Sequence, residues 1–359
     1  MMKSRNYLMV WVALWAVGIG YAESGTGAGE RWPRVFTFSG RDLAQTRKLL
    51  KEGCPKLKPA LEALRKQADA AMKAEPVSVM DKDLIPPSGD KHDYMSFGSY
   101  WWPDPAREDG LPYIRRDGEV NPASLTGGDG ERLVTMKNQS SALALAYYLT
   151  GREEYAEHAA RLVRVWFLEP ATRMNPHLEY GQAIPGRTTG RGIGIIDTVI
   201  LTDVLDTVGL LGGSKAWTRR DQEGLLAWFD AYLEWLRTSA HGRNEKNQKN
   251  NHAVWYDAQV ACYALFVGRD ELAREVLRAV PERHIDTKIE PDGRQPHELA
   301  RTRSFGYSIF TLEGFFMLAS LGEAVEPRWV AGEADDAGWT NVSAAIAAHE
   351  RGELPMLPP

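Results

Sequence analysis

The chain has 359 residues, 43% of them hydrophobic and 25% charged, a globular composition with room for a large core and for one domain or two. A net charge of -5 and a pI near 6.0 speak against nucleic acid as the partner, although a local basic cleft can still oppose the net sign. Two cysteines, with no Cys/His spacing of a zinc site, give no reason to expect a disulfide framework, a metal or a cofactor.

Lys3 and Arg5 precede a mostly apolar run from Tyr7 to Gly20, and Gly20-Tyr21-Ala22 supplies small residues before a cleavage point. This pattern predicts a secretory signal peptide over residues 1–22 and an exported protein, periplasmic or secreted, with no membrane attachment after cleavage. Residues 23–38 read as a flexible lead-in, and 39–359 as a single domain. Ser39 reads as an N-cap, followed by helical periodicity over 42–50 and again over 57–74. Cys54 lies at a Gly-Pro turn, and Cys262 falls in an apolar helix as a small core residue.

Residues 76–122 change character, being rich in Pro, Gly, Asp and aromatics. Within them the run from Tyr94 to Pro105 is a long aromatic loop. Structured loops of this length are usually functional, and the faces of Tyr100, Trp101 and Trp102 suit stacking on sugar rings. From Glu131 onward the chain becomes helical. Apolar helices are expected over 138–149, 153–166, 193–211, 258–267 and 308–321, and Thr218-x-x-Asp221 reads as a capping box. The segment 172–189 is polar and irregular, and 285–295 reads as a turn or hairpin. A faint repeat links residues 142–155 with 258–272: an apolar helix, a Gly-Arg turn, then an acidic helix start. Recurrent helix pairs with no convincing strand series predict an all-α fold, an incomplete (α/α) toroid or barrel of helical hairpins carrying long aromatic loops.

Chemistry-bearing residues gather in two places. In Lys249-Asn250-Asn251-His252, two amides and an imidazole fall at the first turn of an apolar helix. Free N–H groups and the positive end of the helix dipole make such a terminus attractive to an anion. In Arg301-Thr302-Arg303-Ser304-Phe305-Gly306-Tyr307, two arginines precede a tyrosine. If the segment is helical, Arg303 shares a face with Tyr307. If Gly306 breaks it, either arginine can reach the tyrosine. Basic loop residues Arg173, Arg187, Arg191, Arg243, Lys246 and Lys249 would steer a polyanion if they line one cleft. Asn138 and Gln139 open an apolar helix as Asn250 and Asn251 do. Asn175, His177, Tyr180 and Gln182 are further candidates for subsites.

Asn251-His252, followed some fifty residues later by Arg and Tyr, resembles the alginate lyase superfamily of α/α-toroid polysaccharide lyases. So do the segments YMSFGSYWWPDP, DGLPYIRRDGEVNP, KNNHAVWY and PHELARTRSFGY. The likeness is to the branch acting on mannuronate- or glucuronate-containing polymers. It implies metal-independent β-elimination on an acidic polysaccharide, either poly-mannuronate (alginate) or glucuronan. It makes Asn251, His252, Arg301 and Tyr307 the catalytic set, with Arg301 preferred to Arg303. Asn251, His252 and Arg301 would neutralise the uronate carboxylate, and Tyr307, with or without His252, would act as base and acid. Substrate contacts are expected from Tyr100, Trp101, Trp102, Asn138, Gln139, His177, Tyr180, Gln182, Arg187, Asn250, Tyr256 and Arg303. Two other readings stand beside this one. A glycoside hydrolase on the same fold would need paired carboxylates, with Glu298, Asp292 and Glu179 available. A non-catalytic protein binding acidic polysaccharide would keep the aromatic loop and the basic residues.

Overall fold

The computed structural model describes residues 32–325, so the expected signal peptide and the tail beyond residue 325 lie outside the described residues. In chain order the principal helices are α1 (Gly40–Lys51), α2 (Lys58–Ala71), α3 (Gly130–Thr150), α4 (Glu153–Phe167), α5 (Leu201–Leu210), α6 (Arg219–Thr238), α7 (Ala240–Lys246), α8 (Asn251–Val267), α9 (Asp270–Arg278) and α10 (Ser304–Val325). Four short strands accompany them: β1 (Met95–Phe97), β2 (Trp101–Trp102), β3 (Ile114–Arg115) and β4 (Tyr180–Ala183). The chain divides into two compact units. One comprises residues 32–83, 129–175 and 200–228. The other comprises 84–128, 176–199 and 229–325, and the division falls inside α6.

In the first unit α3 is the central element, packed by α1, α2, α4 and α5. Helix α4 turns Tyr155, Ala159, Leu162, Val163 and Trp166 inward at helical spacing, while acidic Glu153 and Glu154 open its first turn. Ser39 caps α1 by accepting the Asp42 N–H at 3.2 Å. The Thr218/Asp221 capping box is formed at 2.8 and 3.2 Å. Part of the expected flexible lead-in is tied down, because the N–H groups of Phe36 and Thr37 donate to the Asp206 carboxylate at 2.5 and 3.0 Å.

In the second unit α8 packs against α9 and α10. Apolar on every side, α8 is buried from Ala253 to Phe266, as a core helix must be. Trp255 ties it to α10 by donating Nε1–H to the Phe310 carbonyl at 2.9 Å. The sequence repeat is real in structure. Gly151 (φ 76) ends α3 and Gly268 (φ 83) ends α8, both left-handed, and each hands over to an acidic helix start.

Three expectations need correcting. The apolar run 193–211 is not one helix but a 3-10 segment, Gly192–Thr198, followed by α5. Gly194 lies so close to Gly181 that a Cβ would come within 2.5 Å of its backbone. Gly306 does not interrupt the last helix, since α10 runs through it. The aromatic region is not free of strands: β1 pairs in parallel with β4, and β2 pairs antiparallel with β3. Cys54 and Cys262 are not joined in a disulfide.

Candidate active site

Asn251 and His252 occupy the first turn of α8, as the apolar run after them requires. The anion at this helix start is supplied by the chain itself. Glu298, on the short helix Pro296–Leu299, accepts the Asn251 main-chain N–H at 2.6 Å and its Nδ2–H at 2.8 Å. Asn251 and Glu298 are both buried, so this terminus is not the open anion site expected of it. The side chain of Asn250 makes no cap hydrogen bond, and its buried Oδ1 has no hydrogen-bond partner among the described residues. His252 is the one residue of α8 between positions 251 and 266 that is not buried. Its Nδ1 lies 2.7 Å from the carboxylate of Glu245, which is fully buried on α7.

The Glu298 carbonyl accepts the N–H of Arg301 at 3.0 Å, so one residue holds both Asn251 and the catalytic-arginine candidate. Arg301 sits in the turn before α10 and folds back over it. Its guanidinium lies 4.0 Å above the Tyr307 ring, and Nη2 donates to the Tyr307 hydroxyl at 2.9 Å. The Tyr100 hydroxyl lies 2.7 Å from the Tyr307 hydroxyl. Asp117 fixes the arginine with two contacts, 3.0 Å to Nη2 and 3.4 Å to Nε. Asp117 also accepts from the Thr302 hydroxyl at 2.9 Å and from Arg115 at 2.7 Å. Arg303 is exposed and contributes its carbonyl to the Tyr307 N–H. The helical-face pairing of Arg303 with Tyr307 is therefore not the one formed.

This geometry sets the charges. Burial alone would push the Asp117 carboxyl up, but hydrogen bonds from Arg301, Thr302 and Arg115 hold it well below the usual range. Burial pushes the Tyr307 hydroxyl up, the Tyr100 hydrogen bond raises it further, and the Arg301 charge only partly opposes them. The nearby arginine does not make Tyr307 easy to ionise, because burial and the Tyr100 hydrogen bond outweigh its charge. Tyr307 rests as a phenol.

Around this centre the other candidates divide. Trp101 and Trp102 are half-buried, with Arg187 5.2 Å and Arg191 6.0 Å from the Trp101 ring and Arg116 5.3 Å from the Trp102 ring. Arg187 is exposed; Arg191 is partly sequestered, and burial lowers it to about 10. The polar groups of Gln182 are taken: its Nε2 donates to Asp197 at 2.9 Å and its Oε1 accepts from Arg191 at 2.8 Å. Gln182 is also held at φ 50, so it works as a strut under Arg191 more than as a free ligand. His177 pairs with Asp93 at 2.9 Å, and Tyr180 is half-buried on β4.

Tyr256 is a correction. It is buried at 3% exposure and its hydroxyl donates to the Leu236 carbonyl, so it belongs to the core and not to a sugar site. Asn138, Gln139 and Arg173 belong to the first unit. Asn175 belongs there as well.

Sequence reasoning did not nominate Asp117 or Glu245 and weighed Glu298 only as a hydrolase acid. Asp117 carried a signal: an Asp-Gly pair directly after Arg115-Arg116, with Gly118 at φ 80. A Cβ on Gly118 would lie 2.6 Å from the Thr302 hydroxyl, so the glycine lets this turn reach the arginine segment. For the hydrolase reading the carboxylates are badly placed. Glu298 is spent on Asn251, Glu179 accepts from Trp235 at 2.9 Å, and Asp292 pairs with Arg294 at 2.6 Å.

Comparison with known proteins gives the family. A family model described as alginate lyase matches residues 78–348. A crystal structure of an alginate lyase from Bacteroides ovatus is 42% identical, with a TM-score of 0.80, over 82% of this chain and 77% of the other. No curated protein matches the sequence. The fold class is that of this neighbour, an α/α toroid, as the helix repeat predicts.

Proposed function

The chain belongs to the alginate lyase family and is a polysaccharide lyase acting on an acidic polysaccharide; from that premise we propose that it cleaves a polyuronate of mannuronate or glucuronate by β-elimination. The observation that carries the reading is the Tyr307 hydroxyl held between Arg301 at 2.9 Å and Tyr100 at 2.7 Å, next to an arginine fork braced by Asp117.

In the reaction a base removes the C5 proton and charge builds on the uronate carboxylate. The C4–C5 double bond forms as the C4–O bond breaks, and an acid gives O4 its proton. The C5 proton is weakly acidic, so preorganised donors must meet the developing charge. Arg301, with Nε and Nη2 held by Asp117, brings positive charge, His252 brings a ring nitrogen, and Asn251 brings an amide whose Nδ2 already donates to Glu298. Trp101, Trp102 and the flanking arginines provide stacking and positive charge for neighbouring sugars.

Two routes use these residues. Mannuronate and glucuronate place the C5 proton and O4 on one face, so a syn elimination would use Tyr307 as base and then as acid. A uronate of opposite C5 configuration needs base and acid on opposite faces, with His252 as base and Tyr307 as acid. A resting phenol suits the acid role that Tyr307 has in both routes; in the syn route it must first give up its proton to act as the base.

The test is ultraviolet absorbance during incubation with poly-mannuronate, poly-guluronate, glucuronan, polygalacturonate and hyaluronan. Elimination leaves a conjugated double bond that hydrolysis cannot make. Absorbance rising on poly-mannuronate or glucuronan supports the proposal and the syn route. Absorbance rising on poly-guluronate alone moves the substrate and favours His252 as base. New reducing ends without absorbance would reject elimination.

A further inference from the structure

We propose that Glu245 is a positioning residue for His252: its buried carboxylate keeps a proton on Nδ1 and leaves Nε2 as the nitrogen offered to the substrate. The inference deepens the lyase reading and rests on it for what His252 then does.

Glu245 has no exposed side-chain surface, and its Oε1 lies 2.7 Å from His252 Nδ1. Its other oxygen, also buried, has no hydrogen-bond partner among the described residues. A buried carboxylate costs free energy unless it is paired and hydrogen-bonded. Here, among the described residues, the carboxylate is hydrogen-bonded by an imidazole that reaches the surface with 15% of its side chain. The local chain is built to hold this placement. Ser239 caps α7 by accepting the Gly242 N–H at 2.9 Å. Gly242 sits so close to the end of α6 that a Cβ would lie 1.7 Å from the Leu236 carbonyl oxygen. That contact seats α7 flush, with Glu245 one turn further along, directed at the start of α8.

The pair lies among other charged and titratable groups. Burial pushes the Glu245 carboxyl up, His252 pulls it back, Asp197 raises it and Arg191 lowers it. Tyr232 and Tyr256, both buried, are pushed up mainly by burial, and the charge of the same carboxylate adds to the rise.

A neutral imidazole carries one N–H. With a carboxylate at Nδ1 the proton stays there, and the Nε2 lone pair faces outward. If His252 is the base, Nε2 takes the C5 proton, and the resulting imidazolium is balanced by Glu245. If His252 neutralises the substrate carboxylate, the same imidazolium is needed, and Glu245 again stabilises it. This is the logic of a carboxylate orienting a catalytic histidine.

The experiment uses the full chain with Glu245→Gln and, should that variant not fold, Glu245→Asp. Nitrogen-15 NMR of the histidine side chains reports which ring nitrogen holds the proton, whether or not the enzyme turns over; His252→Ala identifies the signal. Wild type is expected to show the Nδ1–H form, and Glu245→Gln a shift toward Nε2–H. For Glu245→Gln, kcat is expected to fall about ten- to a hundredfold with KM little changed. One limb of its pH–rate profile should move to lower pH, since the imidazolium has lost its counter-charge. An unaltered tautomer together with an unmoved pH profile, whatever the rate, would overturn the proposal and leave Glu245 a packing residue. If wild type releases no unsaturated product from any uronate polymer, the lyase mechanism fails, while the tautomer measurement still decides the role of Glu245.

Discussion

Glu298 grips Asn251 twice, through the main-chain N–H at 2.6 Å and the side-chain amide at 2.8 Å, and passes its own carbonyl to Arg301 at 3.0 Å. One buried carboxylate thus caps a helix, orients an amide and anchors the turn that carries the arginine. Removing it leaves two buried donors unpaired. Glu298→Ala is expected to cost about 3 kcal/mol of stability in a urea titration and most of the turnover. Glu298→Gln, which still accepts one bond but turns an NH2 toward Asn251, is expected to cost less stability and nearly as much turnover. Equal turnover in Glu298→Gln and wild type would show that the Asn251 orientation does not matter.

Much of this arrangement was legible in the chain. The apolar helices, the Gly151 and Gly268 stops, the Ser39 and Thr218 caps and the burial of Leu225, Phe229, Tyr232 and Leu236 follow from periodicity and capping chemistry, which are local. The residues that position the site are not local. Asp117 reaches Arg301 across 184 positions, and Glu298 reaches Asn251 across 47. No periodicity records such pairs. Tyr256 stands next to the polar trio in sequence and so looks available to a sugar. It falls on the fourth residue after His252, but there α8 is buried on all sides. Helical spacing favours Arg303 over Arg301 and fails here, because α10 begins at Ser304 and the turn before it folds Arg301 back onto Tyr307.

Asp117 gives a pH dependence with a definite sign. Its carboxyl is held below the ordinary range by Arg301, Thr302 and Arg115 against the opposing effect of burial. A depressed folded-state value means the stabilisation is fully present above about pH 4, the unfolded range for Asp, and is lost as the pH falls below it. Asp117→Asn is expected to flatten the acid side of the stability curve. It should also lower turnover about a hundredfold, since Arg301 loses its brace. Chemical denaturation at a series of acidic pH values, alongside rates at neutral pH, checks both. An acid limb of stability as steep as in wild type would refute the assignment.

Tyr256 supplies a prediction of the opposite kind. Its hydroxyl bonds the Leu236 carbonyl inside the core. Tyr256→Phe is expected to lose about 1 kcal/mol of stability and to leave kcat and KM unchanged. A raised KM with unchanged stability would return Tyr256 to the sugar site.

The hydroxyl of Tyr307 is the most exacting case. Tyr307→Phe keeps the ring beneath the Arg301 guanidinium and removes only the oxygen that Arg301 and Tyr100 share. Polymer binding should persist, while turnover should fall at least about a thousandfold, as loss of a positioned acid or base would cause. The companion variant His252→Gln separates the two routes. In syn elimination it loses only help with the carboxylate, so residual turnover should exceed that of Tyr307→Phe by a wide margin. In anti elimination it loses the base, and the two variants should be equally inactive. Single-turnover absorbance on the best polymer, with binding followed separately by tryptophan fluorescence, reads both quantities. Near-normal turnover in Tyr307→Phe would remove the acid–base role from this residue, whatever the substrate.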